Sequence, residues 1–66
     1  MENKEIEFLD YVKEYIISCL RKNVSRNYLA YWLDDVIYDL PDDTSSDLIN
    51  ILYRIQDNLL LGNEKN

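Results

Sequence analysis

Residues 25–41 have the sequence SRNYLAYWLDDVIYDLP, and this stretch decides the fold class. Its apolar residues recur at steps of three and four, which places them on one side of an α-helix: Leu29, Trp32, Leu33, Val36, Ile37 and Leu40. Ser25 can cap the helix start, because its hydroxyl can accept a hydrogen bond from a free amide of the first turn. Pro41 ends the helix, because the residue before a proline is pushed away from helical backbone angles. We therefore predict a helix at about 26–40.

The segment before this stretch has the same apolar period. Asn3 is a candidate cap, and the residues that follow it predict a helix at about 4–22 with one apolar stripe: Ile6, Leu9, Val12, Ile16, Cys19 and Leu20. Because connections of a few residues join neighbouring helices, the two helices are expected to pack antiparallel.

The segment after Pro41 predicts a third helix at about 44–61. Thr44 followed by Asp47 has the capping-box spacing, and Gly62 is a natural helix stop. The stripe of this helix consists of Leu48, Ile51, Leu52, Ile55 and Leu59. Residues 63–66 are expected to form a frayed polar tail. With one Gly and one Pro in 66 residues, the chain 1–66 is predicted to be a single all-α domain, a small antiparallel three-helix bundle.

The residue inventory argues against enzyme chemistry. The chain has no His and one Cys, so it lacks a side chain that titrates near neutrality and cannot form a Cys-based zinc site or an internal disulfide. We expect no catalytic residues, no metal and no cofactor. Cys19 is expected to be a core residue of a reduced, cytoplasmic protein. No apolar stretch approaches the length that spans a bilayer, so no membrane association is expected.

Negative charge is concentrated in the middle of the chain. From Asn27 to Tyr53 there is no Lys or Arg but six Asp, whereas the other seven acids are matched by seven bases, so the formal charge of −6 belongs to this tract. A charge run is often only a solvated helix face. However, Asp35 and Asp39 are four residues apart near a helix C-terminus, where both the spacing and the helix dipole oppose them. Folding does not require those two acids.

The predicted second helix turns Tyr31 and Tyr38 away from its apolar stripe. Exposed tyrosines flanked by carboxylates suit a protein interface, because the rings supply apolar area and the acids orient a basic partner. We therefore predict a partner-binding surface of Tyr28, Tyr31, Asp34, Asp35, Tyr38, Asp39, Asp42 and Asp43. The alternative is that a tyrosine simply lies over a neighbouring helix with its hydroxyl in water.

The third helix has a second apolar line, formed by Ile49, Tyr53 and Leu60. In a three-helix domain this line must be covered by the core flank, a second copy of the chain or a partner. It predicts a homodimer as the alternative to binding another protein.

Residues 23–33 resemble the turn and recognition helix of helix-turn-helix DNA-binding proteins. The resemblance implies that Arg26 and Asn27 contact DNA. Asn23, however, stands where that family has a turn glycine, and the aspartates further along the helix would repel phosphates. DNA binding is thus a third hypothesis, and no direct contact with nucleic acid is expected.

The first hypothesis is a small acidic protein-binding module. It would act as an inhibitor, an immunity or antitoxin-like factor or a nucleic-acid mimic, and would occupy a basic, nucleic-acid-handling surface of a larger protein. The second hypothesis is a self-associating structural or regulatory module.

Overall fold

The computed structural model describes residues 1–64, with side chains for residues 1–61. Within these residues the chain forms a three-helix bundle: α1 spans Asn3–Arg21, α2 spans Arg26–Tyr38 and α3 spans Ser46–Glu64. The four residues between α1 and α2, and the seven between α2 and α3, reverse the chain each time. Thus α1 and α3 run parallel to each other and antiparallel to α2, and the predicted all-α fold is confirmed.

The core forms where the three apolar stripes meet. Three residues from each helix are buried: Leu9, Val12 and Ile16 from α1, Leu29, Ala30 and Leu33 from α2, and Leu48, Leu52 and Leu59 from α3. No polar side chain is buried among residues 1–61. Ile6 departs from its predicted place in the stripe of α1, because it lies at the edge of the bundle and is exposed. The core is therefore entirely apolar and leaves the charged residues at the surface.

The α1–α2 turn closes with a left-handed residue. Asn23 has φ 65°. Its amide donates to the Leu20 carbonyl at 3.1 Å, and the amide of the next residue, Val24, donates to the Cys19 carbonyl at 3.0 Å. This pair of bonds is a Schellman motif, in which Asn often replaces Gly.

The starts of α1 and α3 differ from the predicted caps. Glu2, not Asn3, precedes α1, and its amide donates to the Glu5 carboxylate at 3.3 Å. The α3 helix begins at Ser46 because Ser45 Oγ accepts from the Leu48 amide at 3.3 Å. Thr44 does not cap the helix, since its hydroxyl donates to the Pro41 carbonyl at 2.7 Å.

The helix ends also differ from the predicted ones. Helix α2 stops at Tyr38, two residues before the predicted end, and Asp39 is its C-cap. The Leu40 amide donates to the Ile37 carbonyl, which closes the last turn tightly. Helix α3 continues through Gly62 to Glu64, so the first two residues of the predicted tail are helical. The remaining two, 65–66, lie outside the described residues.

Candidate protein-binding surface

The outer side of α2 carries the predicted aromatic and acidic residues at the surface. Tyr31 is 75% exposed and Tyr38 is 89% exposed, so neither ring lies over a neighbouring helix. The alternative of tyrosines covering the core is therefore wrong for these two residues. Tyr28, Asp34, Asp35 and Asp39 are exposed on the same helix. We call the residues Tyr28, Tyr31, Asp34, Asp35, Tyr38 and Asp39 the α2 outer face.

The carboxylates of the α2 outer face are not paired with a cation in the part of the chain whose side chains are described. Among residues 1–61, no ion pair is formed by Asp34, Asp35 or Asp39. Asp34 Oδ1 accepts only a long 3.5 Å contact from Gln56 Nε2. Because residues 27–53 contain no Lys or Arg, the only cation of α2 is Arg26 at its first position, and the negative field of this face is not neutralised by the residues around it.

Two further acids of the tract, Asp42 and Asp43, lie outside α2. Asp42 and Asp43 are exposed in the α2–α3 connection, at the end of the bundle where α1 begins. A groove of about 680 Å³ opens there, and Asp43 lines it together with Glu2, Glu5 and the apolar side chains of Phe8, Leu40 and Leu48. Lys4 lines the same groove. The structure thus brings Asp43 together with acids of α1.

Glu5 has a defined structural role at this end of the bundle. Its Oε2 accepts from the Ser45 amide at 3.0 Å, forty residues along the chain, while Oε1 accepts from the Glu2 amide at 3.3 Å. The hydrogen bond from Ser45 is the main cause that lowers the pKa of Glu5 below its ordinary value of 4.5. This carboxylate joins the start of α1 to the start of α3, and nothing in the sequence pattern of either helix indicated the contact.

The second apolar line of α3 lies on the flank that faces α2. Tyr53 is 46% exposed and Leu60 is 40% exposed, whereas Ile49 is half-buried. None of the three belongs to the apolar side chains packed on the buried core. The line therefore remains an accessible apolar surface.

An aromatic row between α1 and α2 was missed in the sequence. The Tyr15 ring lies 4.5 Å from the Trp32 ring and 6.4 Å from the Tyr11 ring, measured between centroids. Contact with Cys19, and more weakly desolvation and the phenols of Tyr28 and Tyr11, raise the pKa of Tyr15. The i, i+4 spacing of the two α1 tyrosines was the available signal. Tyr28 precedes Trp32 by one helical turn, so it lies on the side of α2 that borders this row.

The opposite end of the bundle is basic. Arg21, Lys22 and Arg26 are exposed around the α1–α2 turn, about 28 Å from the acidic end along a 19-residue helix. Arg26, which the helix-turn-helix resemblance assigns to DNA contact, stands at the first position of α2. The same helix exposes Asp34 and Asp35 to solvent a little over two turns later, and their charge opposes entry of the helix into a groove lined by phosphates.

Two further properties bear on function. Among the described residues, no helix combines the length and the apolar character needed to cross a lipid bilayer. In the same part of the chain, no group of three or more Asp, Glu or Cys side chains has the arrangement of a metal site.

Comparison with protein families, with curated proteins and with solved structures finds no match to this chain.

Proposed function

We propose that the protein is a small acidic binding module that occupies a basic surface of a larger protein. The observation that supports this most directly is the α2 outer face. It combines three carboxylates that form no ion pair among residues 1–61 with two exposed tyrosines. Nothing in the packing of the bundle requires either feature, since the core is complete without them.

The proposed mechanism has two steps. First, the unneutralised aspartates raise the association rate with a positively charged partner, an effect that weakens as salt screens the field. Then Tyr31 and Tyr38 dock against the partner, and their rings supply apolar contact area at a small entropic cost. Arginine or lysine side chains that would otherwise hold phosphates would meet carboxylates.

This mechanism makes the protein an inhibitor, an immunity or antitoxin-like factor or a nucleic-acid mimic. The proposed role is binding and not catalysis, because the chain has no His and the α2 outer face is a convex helix surface. The proposed setting is the cytoplasm, where the free thiol of Cys19 would stay reduced.

The test compares two triple variants of equal charge. Asp34→Asn/Asp35→Asn/Asp39→Asn neutralises the α2 outer face, whereas Glu7→Gln/Asp10→Asn/Glu14→Gln neutralises three exposed acids of α1. The partner is first identified by tagged pull-down from host lysate at low and high salt, and its association rate is then measured by stopped flow. We expect the α2 variant alone to lose most of the salt-dependent part of the rate. Equal effects of the two variants would refute the mechanism.

Self-association is the second candidate function. The half-exposed Tyr53 and Leu60 support it, because an apolar line of this kind can form a symmetric contact with a second copy. Sedimentation equilibrium at tens of micromolar tests it directly, and a monomer at that concentration would contradict it.

A further inference from the structure

We infer that the α2 outer face and the apolar line of α3 form one binding face, and that its occupant is a basic protein segment with an apolar side chain between its cations. This inference rests on the proposed function and extends it to a second helix. In the sequence the two sets of residues predicted two different interfaces, one for a partner and one for a homodimer.

The contact made by Gln56 sets the register between the two helices. Gln56 Nε2 donates to the Ala30 carbonyl at 2.9 Å and approaches Asp34 Oδ1 at 3.5 Å. Side chains of α3 three or four residues from Gln56 lie on the same side of that helix. Those positions are Leu52, Tyr53, Leu59 and Leu60. Leu52 and Leu59 are buried in the core, so Tyr53 and Leu60 are the two accessible residues of this set that border α2.

The antiparallel direction of the helices then fixes which part of α2 each residue borders. Counted from the contact between Gln56 and Ala30, a residue one turn nearer the start of α3 lies beside a residue one turn nearer the end of α2. Tyr53 therefore lies beside the segment that runs from Asp34 to Tyr38, and Leu60 lies beside the first turns of α2. Asp34, Tyr38 and Tyr53 are all exposed, so the tyrosine of α3 and the outer residues of α2 are accessible to one partner at this border.

The charge of the combined face selects its occupant. A second copy that docked through this face in a symmetric dimer would bring its own Asp34 and Asp35 to the same interface. Among residues 1–61 neither carboxylate forms an ion pair that would offset that repulsion. A basic segment has the complementary charge, and the apolar rings between the acids require an apolar side chain between its cations. Binding of such a partner and dimerisation through this face therefore exclude each other.

A defined peptide pair provides the probe. The first is a 14-residue helical peptide of Arg and Leu, and the second replaces each Leu with Ser so that only the charge remains. Binding to ¹⁵N-labelled protein at low salt is followed by NMR shifts and by calorimetry. We expect the Arg/Leu peptide to bind more tightly than the Arg/Ser peptide, and its shifts to cover α2 from Tyr31 to Tyr38 together with Tyr53 and Leu60.

Three variants separate the inference from the proposed function. Tyr53→Ala and Leu60→Ala should each weaken the Arg/Leu peptide by about fivefold or more, whereas Tyr11→Ala, which removes a 62% exposed tyrosine of α1, should leave its affinity within about twofold. Unchanged affinity in both α3 variants, with loss of binding in the triple Asp variant of α2, would overturn the inference and leave the proposed function standing. Unchanged affinity in the triple variant, or no binding of either peptide, would overturn both.

The occupant is tested separately. We expect the wild-type protein to sediment as a monomer at about 100 μM, a concentration at which a useful homodimer would be populated. A dimer whose formation protects the Tyr53 and Leu60 amide signals would overturn the choice of occupant. Peptide shifts confined to the end with Asp42 and Asp43 would overturn the location of the face.

Discussion

Replacement of Asp39 by Asn is expected to stabilise the protein. Helix α2 has no acidic residue in its first turn and no basic residue in its last, and Asp39 is its C-cap. The helix dipole places partial negative charge at that end, so the carboxylate lies where it is least favoured. The nearest helical neighbour of like charge is Asp35, four residues earlier, whose carbonyl accepts the Asp39 amide at 3.1 Å.

The expected gain is the sum of two surface effects. Removal of a charge that opposes the helix dipole gains about 0.3 to 1 kcal/mol, and removal of the i, i+4 repulsion with Asp35 gains about 0.2 to 0.5 kcal/mol. Asn keeps the size of the side chain and suits a helix end. The free energy of unfolding should therefore rise by about 0.5 to 1.5 kcal/mol, and each kcal/mol raises the Tm of a domain of this size by about 4 to 8 °C.

A second aspartate provides a matched control, because its replacement should change the free energy of unfolding in the opposite direction. Asp47 lies in the first turn of α3, where the helix dipole favours it. The same chemical change, Asp47→Asn, should lower the free energy of unfolding by about 0.3 to 1 kcal/mol. Both variants are measured by urea denaturation at low salt and again at high salt, where the two differences should shrink. Equal signs for Asp39→Asn and Asp47→Asn, or a difference unaffected by salt, would refute the electrostatic explanation.

Two further predictions concern the acidic end of the bundle. Ser45→Ala should destabilise the protein by about 1 kcal/mol in urea denaturation, because the Leu48 amide loses its cap, and Thr44→Ala should cost less; a larger loss for Thr44→Ala would contradict the assigned cap. Because the pKa of Glu5 is lower in the folded protein than its ordinary value of 4.5, its carboxylate stabilises the fold above pH 4.5. That contribution is lost as the pH falls through the lower pKa of the folded state. Glu5→Gln should therefore reduce stability at pH 7 and flatten the decline of stability as the pH falls below about 4.5, as measured by Tm against pH; an unchanged pH profile would show that the bond to Ser45 does not stabilise the fold.

The fold was predictable from the sequence because its main signal is local and repeated. Apolar residues at helical spacing, such as Leu29 and Leu33, identify each stripe without knowledge of its neighbours. Helix boundaries were less predictable, since Thr44, Ser45 and Ser46 all carry a hydroxyl that could cap α3. Which of the three does so depends on the turn after Pro41, where Thr44 is already engaged with the proline carbonyl.

The surface of α2 was predictable for the same reason, since an outward position follows from the helical period alone. What the sequence could not show was the relation between helices. The hydrogen bond from Ser45 to Glu5 joins residues forty positions apart, and the contact of Gln56 with Ala30 joins residues twenty-six apart. Such pairings depend on how the helices settle against one another, and only the structure gives their register.

The aspartates of the tract lie near two different helix ends, the end of α2 and the start of α3, and this difference indicates which of them a partner would contact. Asp42, Asp43 and Asp47 lie just before or within the first turn of α3, so the helix dipole favours their charge and folding alone accounts for them. Asp35 and Asp39 have no such compensation. If selection for a basic partner maintains them, the footprint of that partner must centre on α2 and its border with α3. A footprint centred on the α2–α3 connection would instead mean that the costly charges of α2 serve no binding role.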